Sequence, residues 1–124
     1  MKVNEITNET LGILYEMANL TKPITGIEPV VFCSPKGGAK HECRVKVSNT
    51  IGKVTDSDLF SVVLKDLSIV GDCKLTSDQL ESVKWWIHRN RFAILDYWKD
   101  KTDTLQFLLA VKKITEDFEK GEKL

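Results

Sequence analysis

The amino-acid sequence predicts an α+β fold: an N-terminal helix, a three- to four-stranded antiparallel meander, and two C-terminal helices packed on one sheet face. Two observations predict this class. Apolar residues recur every three or four positions at both ends of the chain, and they form short runs or alternate with polar residues between positions 30 and 70. Chain length and composition predict one core, because 124 residues with 42% hydrophobic content suffice for a single compact core. We therefore expect a single domain over residues 1–124.

The first predicted helix covers residues 5–21. Glu5 and Glu9 lie in its first turns, where acidic side chains favour the positive end of the helix dipole. Pro23 is expected to end it, because the residue before a proline avoids helical dihedral angles. The apolar stripe of this helix is Ile6, Ile13, Leu14, Met17, Ala18 and Leu20.

Four segments are predicted to form strands. Residues 30–33 and 59–64 are short apolar runs rich in β-forming residues, and residues 67–70 are a shorter run that ends at a glycine. Residues 43–48 alternate strictly, which predicts one buried and one wet face. The inward set would be Cys43, Val45 and Val47, and the outward set Arg44, Lys46 and Ser48.

A clear helix start follows the strands. Thr76 and Gln79 have the spacing of a capping box, and Leu75 and Leu80 occupy the positions of a hydrophobic staple. The apolar stripe of this helix slips beside Asn90, where we expect a kink or break.

A last helix is predicted to begin after Thr102 or Asp103 and to stop at Gly121. Its apolar face would comprise Leu105, Leu108, Leu109, Val111, Ile114 and Phe118.

The turn between the first two strands is the main candidate binding site. Its glycines expose backbone N–H groups, and the lysines beside them supply positive charge. The residues expected to bind an anion or a partner are Lys36, Gly37, Gly38, Lys40, His41, Arg44 and Lys46. A solvated hairpin tip next to a wet, basic strand face explains the same residues without a ligand.

Charge is segregated along the chain although the totals balance at 18 basic and 18 acidic residues. Residues 36–53 hold five basic residues and one acidic residue, and residues 54–82 hold six acidic residues and two basic ones. This dipolar pattern is compatible with anion binding, protein binding or a homo-oligomer.

Trp85, next to Trp86 on a helix, gives a second candidate surface. Adjacent helical residues diverge by about 100°, so one of the two should be partly exposed. An exposed Trp85 close to Arg89 would resemble a protein-binding hot spot. The alternative is that both tryptophans cover the edges of the core.

Metal and catalytic sites are not expected. The candidate ligands Cys33, Cys43, Cys73, His41 and His88 lack the spacing of a zinc site. We expect reduced, buried thiols, no cofactor and no enzymatic activity. Asp56 and Asp58 could bind Mg²⁺, although an acidic loop before a strand is the commoner explanation. No apolar run is long enough for a membrane span.

Several segments resemble known proteins. Residues 36–41 (KGGAKH), 44–49 (RVKVSN) and 58–62 (DLFSV) look like a widespread group of small uncharacterised tailed-bacteriophage proteins. Residues 83–99 (VKWWIHRNRFAILDYWK) are similar to theirs and also resemble the C-terminal helix of the small DUF4160 family. The resemblance implies a phage accessory protein acting in the host bacterial cytoplasm.

The function expected from these features is stoichiometric inhibition of a host defence system, as by an anti-CRISPR. The basic hairpin face would then bind a host protein or ribonucleoprotein. The alternative is a nucleic-acid or signalling-nucleotide binding protein of phage replication or counter-defence. A structural, virion-associated role is a third hypothesis.

Overall fold

The computed structural model describes residues 18–55 and 57–115. Its strands are β1 (Ala18–Leu20), β2 (Val31–Cys33), β3 (Arg44–Ser48), β4 (Leu59–Val63) and β5 (Ile69–Val70). Its helices are α1 (Lys22–Thr25), α2 (Ser77–Arg89), α3 (Arg91–Trp98) and α4 (Thr104–Ala110). The α+β class predicted from the sequence is confirmed.

The five strands form one antiparallel sheet in the order of the chain. The register places Val47 opposite both Val31 and Phe60. These side chains belong to the core, which also contains Trp86, Ile87, Ile94, Tyr97 and Phe107 from the helices. One face of the sheet therefore packs against the C-terminal helices. On the other face Lys46 lies between Phe32 and Ser61.

The predicted N-terminal helix is wrong where the structure describes it. Residues 5–17 of that prediction lie outside the described residues, but residues 18–20 form β1 and pair with β2. Ala18 and Leu20 are buried and Asn19 between them is exposed, so this end of the stripe follows a period of two. The added strand gives the sheet five strands instead of three or four.

Pro23 begins a helix where the sequence predicted that it would end one. It lies in the first turn of α1, where the missing proline N–H has no helical acceptor to lose. The helix ends at Gly26, whose φ of +81° is the left-handed cap conformation.

The predicted start and break of the long helical segment are confirmed. The Thr76 hydroxyl accepts a hydrogen bond from the Gln79 N–H, and the Gln79 side chain accepts one from the Thr76 N–H. The helix ends at Arg89, and Asn90 separates it from α3. Because of this break, the described chain after the sheet contains three helices, α2, α3 and α4, where the sequence predicted two.

The last helix starts as predicted but ends early. Asp103 caps it and forms a capping box with Gln106. The helix stops at Ala110, so the prediction that it reaches Gly121 is wrong for the described part, residues 111–115. The Lys112 N–H donates to the Asn90 side chain, and the Ile114 N–H donates to the Thr25 carbonyl. These tertiary hydrogen bonds hold the chain extended where its apolar spacing is helical.

Among the helices described, none has the length and apolar content to cross a membrane.

Candidate functional site

A cavity of about 420 Å³ lies between the β2–β3 loop, the sheet and the end of α3. The sheet contributes one residue from β2, two from β3 and one from β4, and α3 contributes its last residue. The lining consists of Phe32, Ser34, Pro35, Lys36, Gly37, Gly38, Ala39, His41, Arg44, Lys46, Ser61 and Trp98.

The loop that bounds the cavity is held by two backbone hydrogen bonds. The Ala39 N–H donates to the Lys36 carbonyl over 2.9 Å and closes a turn around the two glycines. Gly37 has a φ of +52° whereas Gly38 does not have a positive φ, so only the first glycine needs its conformational freedom. The Lys36 N–H donates to the Trp98 carbonyl over 2.8 Å and ties the turn to α3.

Three cations line the cavity, and none of its lining residues is acidic. Lys36 and Lys46 are exposed, whereas the Arg44 side chain keeps only 25% of its exposure. The Arg44 guanidinium donates to Glu42 over 3.3 Å, and its buried Nε finds no hydrogen-bond partner among the described residues. Most of the donors of Arg44 therefore remain free for a ligand.

His41 and Trp98 form an aromatic wall on one side. Their ring centroids lie 5.6 Å apart and the rings are tilted by 31°. The His41 Nδ1 lies 2.7 Å from the carbonyl oxygen of Glu42, which fixes the orientation of the imidazole. Trp98 is almost buried, so His41 offers the more accessible ring.

The cavity brings together six of the seven residues that the sequence singled out. Lys36, Gly37, Gly38, His41, Arg44 and Lys46 all line it. Lys40 is exposed but does not line it.

The lining residues that the sequence did not single out are three loop residues, Ser34, Pro35 and Ala39, and three residues outside the loop, Phe32, Ser61 and Trp98. Phe32 and Ser61 could have been found only from the strand register, which places them on either side of Lys46. Trp98 is brought to the loop by the backbone bond from Lys36, which no side-chain pattern encodes.

The second predicted surface, Trp85 with Arg89, is largely closed. Trp86 is fully buried and Trp85 is 8% exposed, so the expectation that one of them is partly exposed is wrong. The side of α2 that faces the core is wide enough to bury both Trp85 and Trp86, although they are adjacent in sequence. Trp85 also packs edge-on against His88, with ring centroids 6.0 Å apart. Only Arg89 of this pair remains at the surface.

The thiols at the two ends of the loop belong to the core. Cys33 and Cys43 are free and buried, as the sequence predicted. Burial raises the pKa of Cys43 to about 11 and raises that of Cys33 further, with the nearby Cys43 adding to the effect. Such thiols are poor nucleophiles.

The part of the chain that the structure describes contains no cluster of three or more His, Cys, Asp or Glu residues suited to a metal. The Asp58 carboxylate accepts hydrogen bonds from Lys74 at 2.9 Å and from Asn49 at 3.2 Å. These hydrogen bonds, from Lys74 first, lower the pKa of Asp58. Its negative charge is thus already matched within the protein.

Comparison with family models, curated proteins and solved structures gives no significant match for this chain. The resemblance to tailed-phage proteins and to the DUF4160 family therefore stays a prediction.

Proposed function

We propose that this is a non-enzymatic binding protein whose basic cavity holds a small ligand that carries a phosphate group. The observation that carries the proposal is the lining itself, in which Lys36, Arg44 and Lys46 border one cavity without an acidic residue among the lining residues. Cations held together repel one another, and an anion between them relieves that repulsion.

The shape of the site favours a small ligand over a nucleic-acid strand. A volume of about 420 Å³ falls within the range of roughly 300–1,000 Å³ typical of small-molecule sites. A strand-binding surface is instead an open groove with successive stacking platforms. Here the aromatic lining residues are Phe32, His41 and Trp98, and the first and last are almost buried, so they do not form a row of exposed platforms.

Arg44 is the residue best placed to bind the phosphate. A guanidinium presents planar donors that match two phosphate oxygens, and partial burial strengthens such charge-assisted bonds. Arg44 is also fixed at its base, because it pairs with Val63 of β4. Lys36 and Lys46 are exposed and flexible, so they would add charge more than geometry.

For the biological role, we propose a phage accessory protein that acts in the host bacterial cytoplasm against a defence system. Sequestering a signalling nucleotide one-to-one would inhibit such a system without catalysis. The support is the combination of the basic cavity with the resemblance of residues 36–62 and 83–99 to small tailed-phage proteins.

A second candidate is direct binding of a host protein or ribonucleoprotein, as by an anti-CRISPR, with or without formation of a homo-oligomer. Lys40 favours it, because it is exposed on the β2–β3 loop without lining the cavity, and so adds positive charge outside it. Replacing Lys40 with glutamate would weaken capture of such a partner from defence-carrying cells and would leave ligand binding in the cavity nearly intact.

The cavity is tested by titrating the protein with ribose 5-phosphate and inorganic pyrophosphate at low and high salt. We expect binding that weakens with salt, and a loss of at least about tenfold in Arg44→Gln, because a hydrogen bond to a charged group contributes about 1.5–3 kcal/mol. Gly38→Asp should have a similar effect, since a side chain there meets open space and would place a carboxylate at the cavity rim.

The matched control is Lys65→Gln, which removes one exposed positive charge from the β4–β5 turn, outside the cavity. It should bind like the wild type. If neither phosphate binds at low salt, or if Lys65→Gln weakens binding as much as Arg44→Gln, the cavity is not a phosphate site.

A further inference from the structure

We infer that the ligand carries a diphosphate, with one phosphoryl group on the cations of β3 and the second on the glycine turn, residues 36–39 of the β2–β3 loop. The inference rests on the proposed phosphate site and adds the number of phosphoryl groups that this site takes. It assigns the glycine turn a binding task in addition to its place in the cavity wall.

The sheet supplies the first set of donors. Arg44 and Lys46 lie two positions apart on β3, so strand alternation places both side chains on one side of the sheet, about 7 Å apart at their base. Ser61 lies directly opposite Lys46 on β4 and also lines the cavity, so its hydroxyl is a further donor. Pairing between the two strands fixes the backbone positions of all three residues.

The glycine turn supplies a second set of donors on a different element. Gly37 and Gly38 line the cavity, and because a glycine has no side chain, it is their backbone that borders it. Within the part of the chain described, the N–H groups of both glycines donate to no protein acceptor, whereas those of Lys36 and Ala39 hold the turn in place. Successive free N–H groups in a turn form an anion-binding concavity. The Lys36 side chain, which also lines the cavity, adds a positive charge beside them.

A single phosphoryl group does not saturate both sets of donors. A phosphate monoester presents three terminal oxygens, and the Arg44 guanidinium binds two of them when its N–H donors are paired. The third oxygen is left for Lys46 or Ser61, and the glycine turn then has no acceptor. A second phosphoryl group brings the oxygens that the turn lacks. Because the strands and the turn border one cavity of about 420 Å³, the two groups are held close together, as in a diphosphate.

Orthophosphate and pyrophosphate test the inference, because they differ by one phosphoryl group. Dissociation constants are measured by chemical-shift titration of the intact chain at low salt. We expect pyrophosphate to bind about tenfold or more tighter than orthophosphate, since the second group makes its own charge-assisted hydrogen bonds. The amide resonances of Gly37 and Gly38 should shift strongly with pyrophosphate and much less with orthophosphate, because only the second phosphoryl group contacts the turn.

Variants separate the two positions from a general effect of charge. Lys36→Gln should weaken pyrophosphate binding by about fivefold or more and orthophosphate binding by less than about twofold, because a lone phosphate binds at the strand cations. Arg44→Gln should weaken the binding of both. The matched control is Lys40→Gln, which removes one exposed positive charge from the same loop outside the cavity lining. It should change either affinity by less than about twofold.

The outcomes for the site and for the inference differ. If both anions bind through Arg44 with equal affinity, or if Lys36→Gln weakens both alike, the phosphate site stands and the diphosphate inference is overturned. If Lys40→Gln weakens pyrophosphate binding as much as Lys36→Gln, the gain comes from net charge and the inference is again overturned. If neither anion binds, the site and the inference are both wrong.

Discussion

At the scale of single residues, Glu42 controls how much of Arg44 is available to a ligand. Its carboxylate accepts from Arg44 at 3.3 Å, although Glu42 itself does not line the cavity. Hydrogen bonding to its own backbone N–H, followed by the charge of Arg44, lowers the pKa of Glu42. Glu42 is therefore charged at neutral pH and competes with an incoming phosphate for the same guanidinium.

Removing this competitor should strengthen binding. We expect Glu42→Gln to raise the affinity for ribose 5-phosphate by up to about fivefold, because exposed ion pairs are weak and only partly oppose the ligand. The gain should shrink at high salt, where both interactions are screened. Glu28→Gln, which breaks an exposed ion pair with Lys22 away from the cavity, is the control and should not change affinity. A loss of affinity in Glu42→Gln would mean that Glu42 orients Arg44 instead of competing for it.

How far the sequence predicted the site depends on where its residues lie along the chain. The basic residues on the β2–β3 loop and on β3 could be predicted, because they are close in sequence and strand alternation assigns Arg44 and Lys46 to one side. Trp98 could not, because its position next to Lys36 depends on packing between α3 and the loop. Lys40 is predicted for the site by its charge and its place in the turn, but it lies outside the lining, because neighbouring residues in a turn point in different directions.

At the scale of elements, Asn90 joins three segments that no local signal connects. Its side-chain amide donates to the Trp86 carbonyl at 2.9 Å and to the Lys112 carbonyl at 3.0 Å, and its oxygen accepts from the Lys112 N–H at 2.6 Å. Asn90 is 3% exposed, so water cannot replace these bonds. The residue thus ends α2, lies before α3 and holds the chain beyond α4.

Asn90→Ala should lower the free energy of unfolding by about 2–4 kcal/mol, because the Lys112 N–H and carbonyl lose their partner in partly buried hydrogen bonds and a small cavity opens. The measurement is urea denaturation with linear extrapolation. The control is Asn19→Ala at an exposed position of β1, where we expect a change within about 0.5 kcal/mol. A change in Asn90→Ala as small as that of the control would show that the amide does not stabilise this joint.

Helix starts and breaks that depend on nearby residues could be predicted from the sequence. Segments whose conformation depends on tertiary contacts could not. Both capping boxes and the break at Asn90 follow from residues within one helical turn of each other. By contrast, Ala18–Leu20 has helical neighbours in sequence but pairs with β2. Residues 111–115 keep helical spacing but are held extended by Asn90 and Thr25.

At the scale of the whole molecule, the core contains two thiols whose ionisation opposes folding. Cys33 and Cys43 lie under the sheet face that packs on the helices, and burial raises the pKa of both. A thiol in the unfolded chain ionises near pH 8.5. Between that pH and about 11 the unfolded state releases protons that the folded state keeps. Since the folded pKa is the higher one, the stabilising contribution is complete below about pH 8.5 and is lost as pH rises.

We therefore expect the free energy of unfolding to be flat near pH 7–8 and to fall between pH 8.5 and 10, by up to about 1.4 kcal/mol per pH unit for each thiol that ionises only on unfolding. Denaturation under reducing conditions at several pH values measures the slope. The double variant Cys33→Ala/Cys43→Ala should be less stable at pH 7 but should lose most of this slope. Cys73→Ala, which removes the partly exposed thiol, should keep it. An unchanged slope in the double variant would assign the alkaline loss to other groups. Tyr97 and Lys74, whose pKa values are also raised, act in the same direction, but even in an unfolded chain these side chains lose their protons only near pH 10.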